Sequence, residues 1–174
     1  MMDVEAKATS VVYRKPTLAD AAAIHALIEE CQPLDLNSAY CYMLLSTHFA
    51  DSCAIAELDG RLLGFVSAYR KPSESAVLFV WQVAVSARAR GHGVGKGLLH
   101  EILARPEQGG VRHLEATITP SNSASWALFE SFAKKQGAGC ATQTQFREED
   151  FGGPGHEEEH LLRIGPLPSP RGSH

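Results

Sequence analysis

The first third of the chain carries apolar residues at helical spacing after one short strand, which is predicted over 11–14. Thr17 stands where an N-cap begins a helix that continues through Cys31, because apolar side chains return every three or four positions on one face. A second helix is predicted over 38–49, capped at its first residue or at the one before it. The chain therefore begins as a strand followed by two amphipathic helices.

The middle of the chain changes to the spacing of strands. Two strands are predicted over 53–58 and 62–69, joined by the dipeptide Asp59-Gly60, which tolerates the positive φ that a type I′ turn requires. A third strand follows over 76–85 with the sequence AVLFVWQVAV, in which Gln82 is the only polar residue. This near-continuous apolar run predicts a strand that is buried on both faces.

The last third alternates helices and strands. A helix that is closed by a proline and a glycine pair is followed by a strand, a helix with Ser121 or Asn122 as its cap, and two weaker strands. The predicted ranges are 95–105, 113–119, 121–136, 141–146 and 160–164. The resulting order, β-α-α-β-β-β-α-β-α-β-β, predicts the fold class α/β with a mixed sheet.

Length and charge narrow the possibilities. A chain of 174 residues with 44% hydrophobic content fits one domain, predicted over 11–167, between a disordered segment 1–10 and an expression-derived or disordered tail 168–174. The net charge of -4 disfavours nucleic acid as a partner. The chain shows neither the apolar segment of a signal peptide nor a membrane span of about 20 residues, so we expect a cytoplasmic protein that binds no membrane.

The four cysteines are far apart in the sequence and have no histidine at metal-ligand spacing beside them. We therefore expect reduced thiols and no metal.

The most informative segment is 81–99, WQVAVSARARGHGVGKGLL, in which a buried strand enters alternating glycines and then a helix. Such a loop exposes backbone N–H groups at the positive end of a helix, which suits a phosphate or pyrophosphate. The spacing of Gly91, Gly93, Gly95 and Gly97 fits neither a Walker A loop nor a dinucleotide fingerprint. An anion site other than these two is predicted.

The run Arg90-Gly91-His92-Gly93-Val94-Gly95 resembles the R/Q-x-x-G-x-G/A loop of the GNAT acetyltransferases, which holds the pyrophosphate of acetyl-CoA. The resemblance implies the GNAT fold, a twisted mixed sheet flanked by helices, with acetyl-CoA as cosubstrate. Arg88, Arg90 and Lys96 add positive charge for the phosphates. The residues assigned to the cofactor are Val83, Val85, Arg90, Gly91, His92, Gly93, Val94, Gly95, Lys96, Asn122 and Phe129.

Asn122 and Phe129 belong to the stretch TPSNSASWALFESFA, which resembles the family's segment beside the pantetheine arm. Asn122 is a cofactor contact by this resemblance and a plain helix N-cap by its position, and both roles are compatible. Phe129 stands where many members carry the tyrosine that protonates the departing thiolate. Tyr40, Tyr42 and Tyr69 are other possible donors, and a thiol with pKa near ~8.5 leaves without full protonation.

Further stretches resemble the diaminobutyrate acetyltransferases of ectoine biosynthesis. They include PLDLNSAYCYMLLSTHFADSCAIAE, FVWQVAV, HLEATITPSNSASWALFESFA and EEEHLLRI, spread from Pro33 to Ile164. The resemblance implies an enzyme that transfers acetyl from acetyl-CoA to the 4-amino group of L-2,4-diaminobutanoate, and a homodimer.

A diamino acid needs carboxylates for its ammonium groups and a wall that limits its length. Asp35 and Glu115 are the predicted carboxylates and Trp81 the predicted wall, although a solvated loop charge and core packing are alternatives for Asp35 and Trp81. Glu115 is also predicted to relay the amine proton, and the Val85 N–H to meet the oxyanion.

Two other functions stay open from the sequence. One is a GNAT enzyme acting on another small amine or on a peptide amino terminus. The other is an acyl-CoA-binding module without catalysis, which the phenylalanine at position 129 keeps open.

Overall fold

The computed structural model describes residues 10–169, so the predicted disordered segment, except Ser10, and the last five residues of the tail lie outside it. The elements are β1 Val12–Arg14, α1 Ala21–Glu30, α2 Ala39–Thr47, β2 Ala54–Leu58, β3 Arg61–Lys71, β4 Glu74–Val85, α3 Val94–Leu103, β5 His113–Ile118, α4 Ser123–Gln136, β6 Gly139–Phe146 and β7 Glu159–Gly165. They form one seven-stranded mixed sheet of order β1-β2-β3-β4-β5-β7-β6. The α/β fold class and the order of elements predicted from the sequence are confirmed.

Local signals set most of the boundaries. Ser38 caps α2 by accepting a hydrogen bond from the Cys41 N–H at 3.2 Å. Thr17 donates its backbone N–H to Asp20 at 2.7 Å, but it caps a single 3-10 turn, and α1 begins only after that turn. The residues of the Asp59-Gly60 turn have φ values of 51° and 73°, as a type I′ turn requires.

The core lies on both faces of the sheet. Helices α3 and α4 cover one face and contribute large buried side chains such as Leu98, Ile102 and Phe132. Helices α1 and α2 cover β2 and β3 on the other face, where Ile28 and Tyr42 are fully buried. No helix of residues 10–169 has the length and apolar character needed to cross a membrane.

Strand β4 is not buried on both faces along its length, which corrects the prediction from its apolar run. Its even-numbered residues from 78 to 84 are buried, whereas Trp81 is 45% exposed and Val83 and Val85 are half-buried. An apolar run alone does not distinguish a strand that is covered by helices from one that borders a cleft.

A bulge interrupts β4 at the exposed tryptophan. Ser67 of β3 pairs with Gln82 and Ala68 pairs with Val80, so Trp81 has no partner on β3. The bulge changes the direction of the second half of β4, and this half carries the side chains that border the cleft described below.

Strands β4 and β5 run parallel and then separate. Their pairing runs from Val77 with His113 to Val80 with Ala116, and the last five residues of β4 have no partner on β5. On its other edge, β5 pairs with β7 along its length. The sheet therefore opens into a V between the ends of β4 and β5, and the edge of β4 that faces this gap is not bonded to a strand.

Candidate active site

A cleft of about 600 Å³ lies at the open end of the V. Four segments build its walls: the end of β4, the glycine loop with the first turn of α3, the first half of α4, and the loop that joins α1 to α2. Its lining residues are Cys31, Gln32, Pro33, Leu34, Val83, Ala84, Val85, Ala89, Arg90, Gly91, Gly93, Val94, Gly95, Lys96, Asn122, Ala124, Ser125, Ala127, Leu128 and Ser131. Most of the predicted cofactor residues therefore meet in one place.

The end of β4 presents backbone groups to this cleft. The Ser86 N–H donates to the Leu63 carbonyl at 2.8 Å on one side of the Gly64–Val85 pair, so this pair is of the type that does not exchange hydrogen bonds. The N–H and C=O of Val85 consequently point away from β3. The Val85 carbonyl accepts Arg90 Nε at 3.2 Å, while its N–H is directed at the gap.

The glycine loop provides further donors. Gly91 and Gly93 adopt φ values of 79° and 77°, which side chains rarely tolerate, and Gly93 is the N-cap residue of α3. The first intrahelical bond runs from the Gly97 N–H to the Gly93 carbonyl, so the preceding N–H groups of the first turn have no partner within the helix. These N–H groups, together with the partial positive charge at the N-terminus of α3, suit the binding of a pyrophosphate.

The other two glycines of the run serve packing. A Cβ at Gly95 would lie 3.1 Å from Leu128 Cδ1 of α4, and a Cβ at Gly97 would lie 2.4 Å from the ring and hydroxyl of Tyr13. These glycines let α3 approach α4 and β1 closely. The alternation in the sequence therefore reflects two separate requirements, loop conformation and helix packing.

Two predicted cofactor residues lie outside the lining of the cleft. His92 is exposed on the loop, where its Nδ1 lies 3.0 Å from the Arg90 carbonyl. Phe129 is 3% exposed and belongs to the core between α4 and the sheet. Because its ring has almost no accessible surface and does not line the cleft, the contact of Phe129 with the cofactor stays a prediction.

Fewer cationic side chains line the cleft than the three predicted from the sequence. Arg90 and Lys96 line the cleft, and Lys96 donates to Ser131 of α4 at 3.1 Å. Arg88 is exposed but is not part of the lining. Two cations and the helix end are therefore the groups available to a phosphate here.

Asn122 has both features that the sequence left as alternatives. Its side chain accepts a hydrogen bond from the Ser125 N–H at 3.1 Å and so caps α4, and it also lines the cleft. The cap uses the side-chain oxygen. The amide nitrogen makes no hydrogen bond within residues 10–169 and is left to donate to a bound molecule.

We expect Asn122→Ala to lose about 1 kcal/mol of stability, because the cap disappears. The same variant should raise the KM for the acetyl-CoA that the resemblance of the sequence implies, by roughly three- to tenfold, through the loss of one hydrogen bond. Asn122→Ser keeps an oxygen that can cap the helix, so it should raise this KM to a similar extent with a nearly unchanged melting temperature. A normal KM in the serine variant would limit Asn122 to capping. Thermal unfolding and initial rates measure both effects.

Asp35 and Trp81 are not among the residues that line the cleft. Asp35 is exposed and directly follows the lining residue Leu34, and its backbone carbonyl accepts Gln82 Nε2 at 2.7 Å. Trp81 is the first residue of the separated part of β4, and 45% of it is exposed. Both side chains are accessible, as a substrate-binding role requires.

Glu115 lies in a different setting from the one predicted. Its carboxylate is buried, with 2% of the side chain exposed, and it accepts Lys71 Nζ at 2.8 Å and Arg163 at 2.7 Å. Arg163 also makes a two-point contact with Glu74 at 2.7 and 3.1 Å, which lowers the pKa of the Glu74 carboxyl. Both oxygens of Glu115 are therefore engaged by cations, and the residue does not line the cleft.

Sequence reasoning missed two parts of the site. One is the contribution of the segment 31–34 to the wall of the cleft, since its sequence CQPL has neither the glycine pattern nor the charges that marked the other walls. The other is the bond between Tyr42 and Gln82, because the sequence indicated Tyr42 only as a possible proton donor. Its fully buried hydroxyl donates to Gln82 Oε1 at 3.2 Å and so is already engaged. Gln82 is the only polar residue in an apolar strand, and this was the feature of the sequence that could have indicated the bond. Within the described part of the chain, no group of three or more metal-ligand side chains occurs.

Comparisons with known proteins agree with this geometry. Residues 21–133 match the acetyltransferase (GNAT) family. The L-2,4-diaminobutyric acid acetyltransferase of Bordetella parapertussis is 52% identical, over 90% of this chain and 85% of that protein. The protein of the same name from Halomonas elongata is 45% identical, over 92% of this chain and 84% of that protein.

A solved structure is also similar. The diaminobutyrate acetyltransferase from Paenibacillus lautus, in complex with its substrate L-2,4-diaminobutyric acid and coenzyme A, is 42% identical with a TM-score of 0.88. The alignment covers 94% of this chain and 99% of that one. The chain therefore belongs to the acetyltransferase (GNAT) family and, within it, to the L-2,4-diaminobutyric acid acetyltransferases.

Proposed function

We propose that the protein transfers the acetyl group of acetyl-CoA to the 4-amino group of L-2,4-diaminobutanoate, which yields N4-acetyl-L-2,4-diaminobutanoate and coenzyme A, as in ectoine biosynthesis. The observation that carries the proposal is the cleft between β4 and β5. There the partner-free edge of β4 meets a glycine loop that is suited to a pyrophosphate, in a chain of this family.

The cofactor is placed by backbone groups for the most part. The pyrophosphate lies on the loop and first turn of α3, with Arg90 and Lys96 beside it, and the pantetheine arm follows β4 at Val83 and Val85. Asn122 donates to this arm from α4. The thioester carbonyl then lies near the Val85 N–H, which stabilises the negative charge of the tetrahedral intermediate.

The reaction needs a neutral amine. An amine with a pKa of about 10.4 is neutral in only about one molecule in a few thousand at pH 7, so binding must help it lose a proton. Once the ammonium proton has passed to water, the free amine attacks the thioester carbon and the C–S bond breaks. The thiolate leaves, and the proton that the attacking nitrogen still has to lose goes to water or to this thiolate. With a thiol pKa near ~8.5, the thiolate departs without a dedicated acid, which agrees with the buried phenylalanine at position 129.

The substrate's ammonium groups are proposed to meet Asp35, with Trp81 as the wall beside the reacting amine. Both residues are accessible, and each is close in sequence to a lining residue, Asp35 to Leu34 and Trp81 to Val83. For Glu115 to bind the amine or accept its proton, Lys71 or Arg163 would first have to leave its carboxylate. The catalytic role of Glu115 therefore stays a prediction that its placement does not support.

The direct test is release of free thiol from acetyl-CoA in the presence of L-2,4-diaminobutanoate. We expect release above a buffer control and a product acetylated at the 4-amino group by mass spectrometry. Other small diamines and peptides with free amino termini are the comparison substrates. Faster release with any of them, or none with the diamino acid, would overturn the assignment. Coenzyme A binding without turnover on any amine would favour a non-catalytic module.

We further propose that the enzyme acts in the cytoplasm as a homodimer, as the resemblance of its sequence to this family implies. Its acidic net charge is consistent with small-molecule partners and with no role for nucleic acid. Static light scattering decides the oligomeric state, and cell fractionation decides the compartment.

A further inference from the structure

We propose that Gln82 and Tyr42 are positioning residues that hold the loop between α1 and α2 at the amine-binding side of the cleft. This inference rests on the proposed function and deepens it. It assigns amine affinity partly to a buried pair of side chains that do not line the cleft.

Gln82 connects three parts of the molecule. Its Oε1 accepts the Tyr42 hydroxyl at 3.2 Å, and its Nε2 donates to the Asp35 carbonyl at 2.7 Å. Its backbone N–H donates at 3.2 Å to the hydroxyl of Ser67, which is fully buried on β3. Because Gln82 follows the bulge directly, the side chain is fixed at the point where β4 turns away from β5.

Tyr42 completes the connection from the helix side. Its hydroxyl accepts the Asn37 N–H at 3.3 Å while it donates to Gln82. Its ring is fully buried and lies edge-on to His25 and Phe65, so the hydroxyl has little freedom to move. The Asp35 carbonyl and the Asn37 N–H are thus both bound by one pair of side chains.

The position of the loop is the main consequence of this pair. Residues 32–38 form no helix or strand, and the first three of them line the cleft. Asp35, the proposed ligand of the ammonium groups, is held in place because its own backbone carbonyl accepts the hydrogen bond from Gln82. A buried hydrogen bond contributes only about 0.5–1.5 kcal/mol to stability, whereas a misplacement near 1 Å can reduce an enzyme's rate by about a hundredfold.

The test uses Gln82→Met, which keeps the length of the side chain without its hydrogen bonds, and Tyr42→Phe, which removes only the hydroxyl. Each should raise the KM for L-2,4-diaminobutanoate by about tenfold and change the KM for acetyl-CoA less than about twofold. The double variant should raise the KM for the amine little more than either single variant does, because each single variant already breaks the same set of bonds that holds the loop.

Ser52→Ala is the matched control. Ser52 is buried and donates to the Ala68 carbonyl at 2.5 Å, away from the loop, so its loss should lower stability without changing either KM. A similar rise of both KM values in Gln82→Met would reduce Gln82 to a general structural role and overturn the proposal. So would an unchanged KM for the amine.

Hydrogen–deuterium exchange separates this proposal from the proposed function. Gln82→Met should speed exchange of the amides in 34–37 relative to the unmodified protein, whether or not an amine is turned over. Unchanged exchange there would overturn the positioning role. If exchange rises but the unmodified protein releases no thiol with any amine, the proposed function fails, and the assignment of the loop to an amine fails with it.

Discussion

Replacing Glu115 by glutamine is expected to lower the melting temperature by about 4–8 °C, which corresponds to a loss of about 2 kcal/mol in a chain of this size. The carboxylate is buried between Lys71 and Arg163, and its neutralisation leaves both cations with weaker partners. Removing one member of a fully buried ion pair costs about 3–5 kcal/mol, and the partial exposure of the two cations reduces that value here. Thermal unfolding at low ionic strength measures the loss.

Glu74→Gln is the matched control for this change. Glu74 binds the same arginine from the outer end of the network, where 44% of its side chain is exposed, so its loss should lower the melting temperature much less than the loss of Glu115 does. We expect kcat/KM of Glu115→Gln to stay within about tenfold of the unmodified enzyme. A loss above about a hundredfold at an unchanged melting temperature would instead support the catalytic role predicted from the sequence.

Trp81→Ala is expected to raise the KM for L-2,4-diaminobutanoate by at least about tenfold, because the proposed wall of the amine site is removed. The side chain stands at the bulge with 45% of its surface exposed, so its truncation should lower stability by only about 1 kcal/mol. The KM for acetyl-CoA should change little. Initial rates with each substrate varied in turn measure both constants.

Phe49→Ala is the control for a general effect of losing a half-exposed aromatic ring. Phe49 follows α2 and is exposed to the same 45%. It should leave both KM values unchanged. An equal rise of the amine KM in both variants, or no rise in Trp81→Ala, would remove Trp81 from the amine site.

Local signals were enough to predict the order of elements. The caps at Ser38 and Asn122 and the Asp59-Gly60 turn act within a few residues, so the chain reveals them directly. The glycine loop was likewise recognisable, because phosphate binding depends on backbone groups whose spacing is visible in the sequence.

The environment of Glu115 could not be predicted in the same way. Its partners lie 44 and 48 residues away in sequence and come beside it through the register of β3, β4, β5 and β7. A carboxylate in an apolar strand therefore fits either a catalytic group or the centre of an ion network. The bulge at Trp81 was hidden for a related reason, since it depends on the register between β3 and β4.

The two packing glycines of α3 limit how this loop can be inherited or engineered. Gly95 accommodates Leu128 of α4, and Gly97 accommodates the ring of Tyr13, which belongs to β1 near the start of the chain. A chimera that receives only residues 88–97 from this enzyme would carry the phosphate-binding backbone without the surfaces that fit against it. Exchange of the loop between acetyltransferases should therefore succeed only when β1 and α4 are exchanged with it, as a single module of three separate segments.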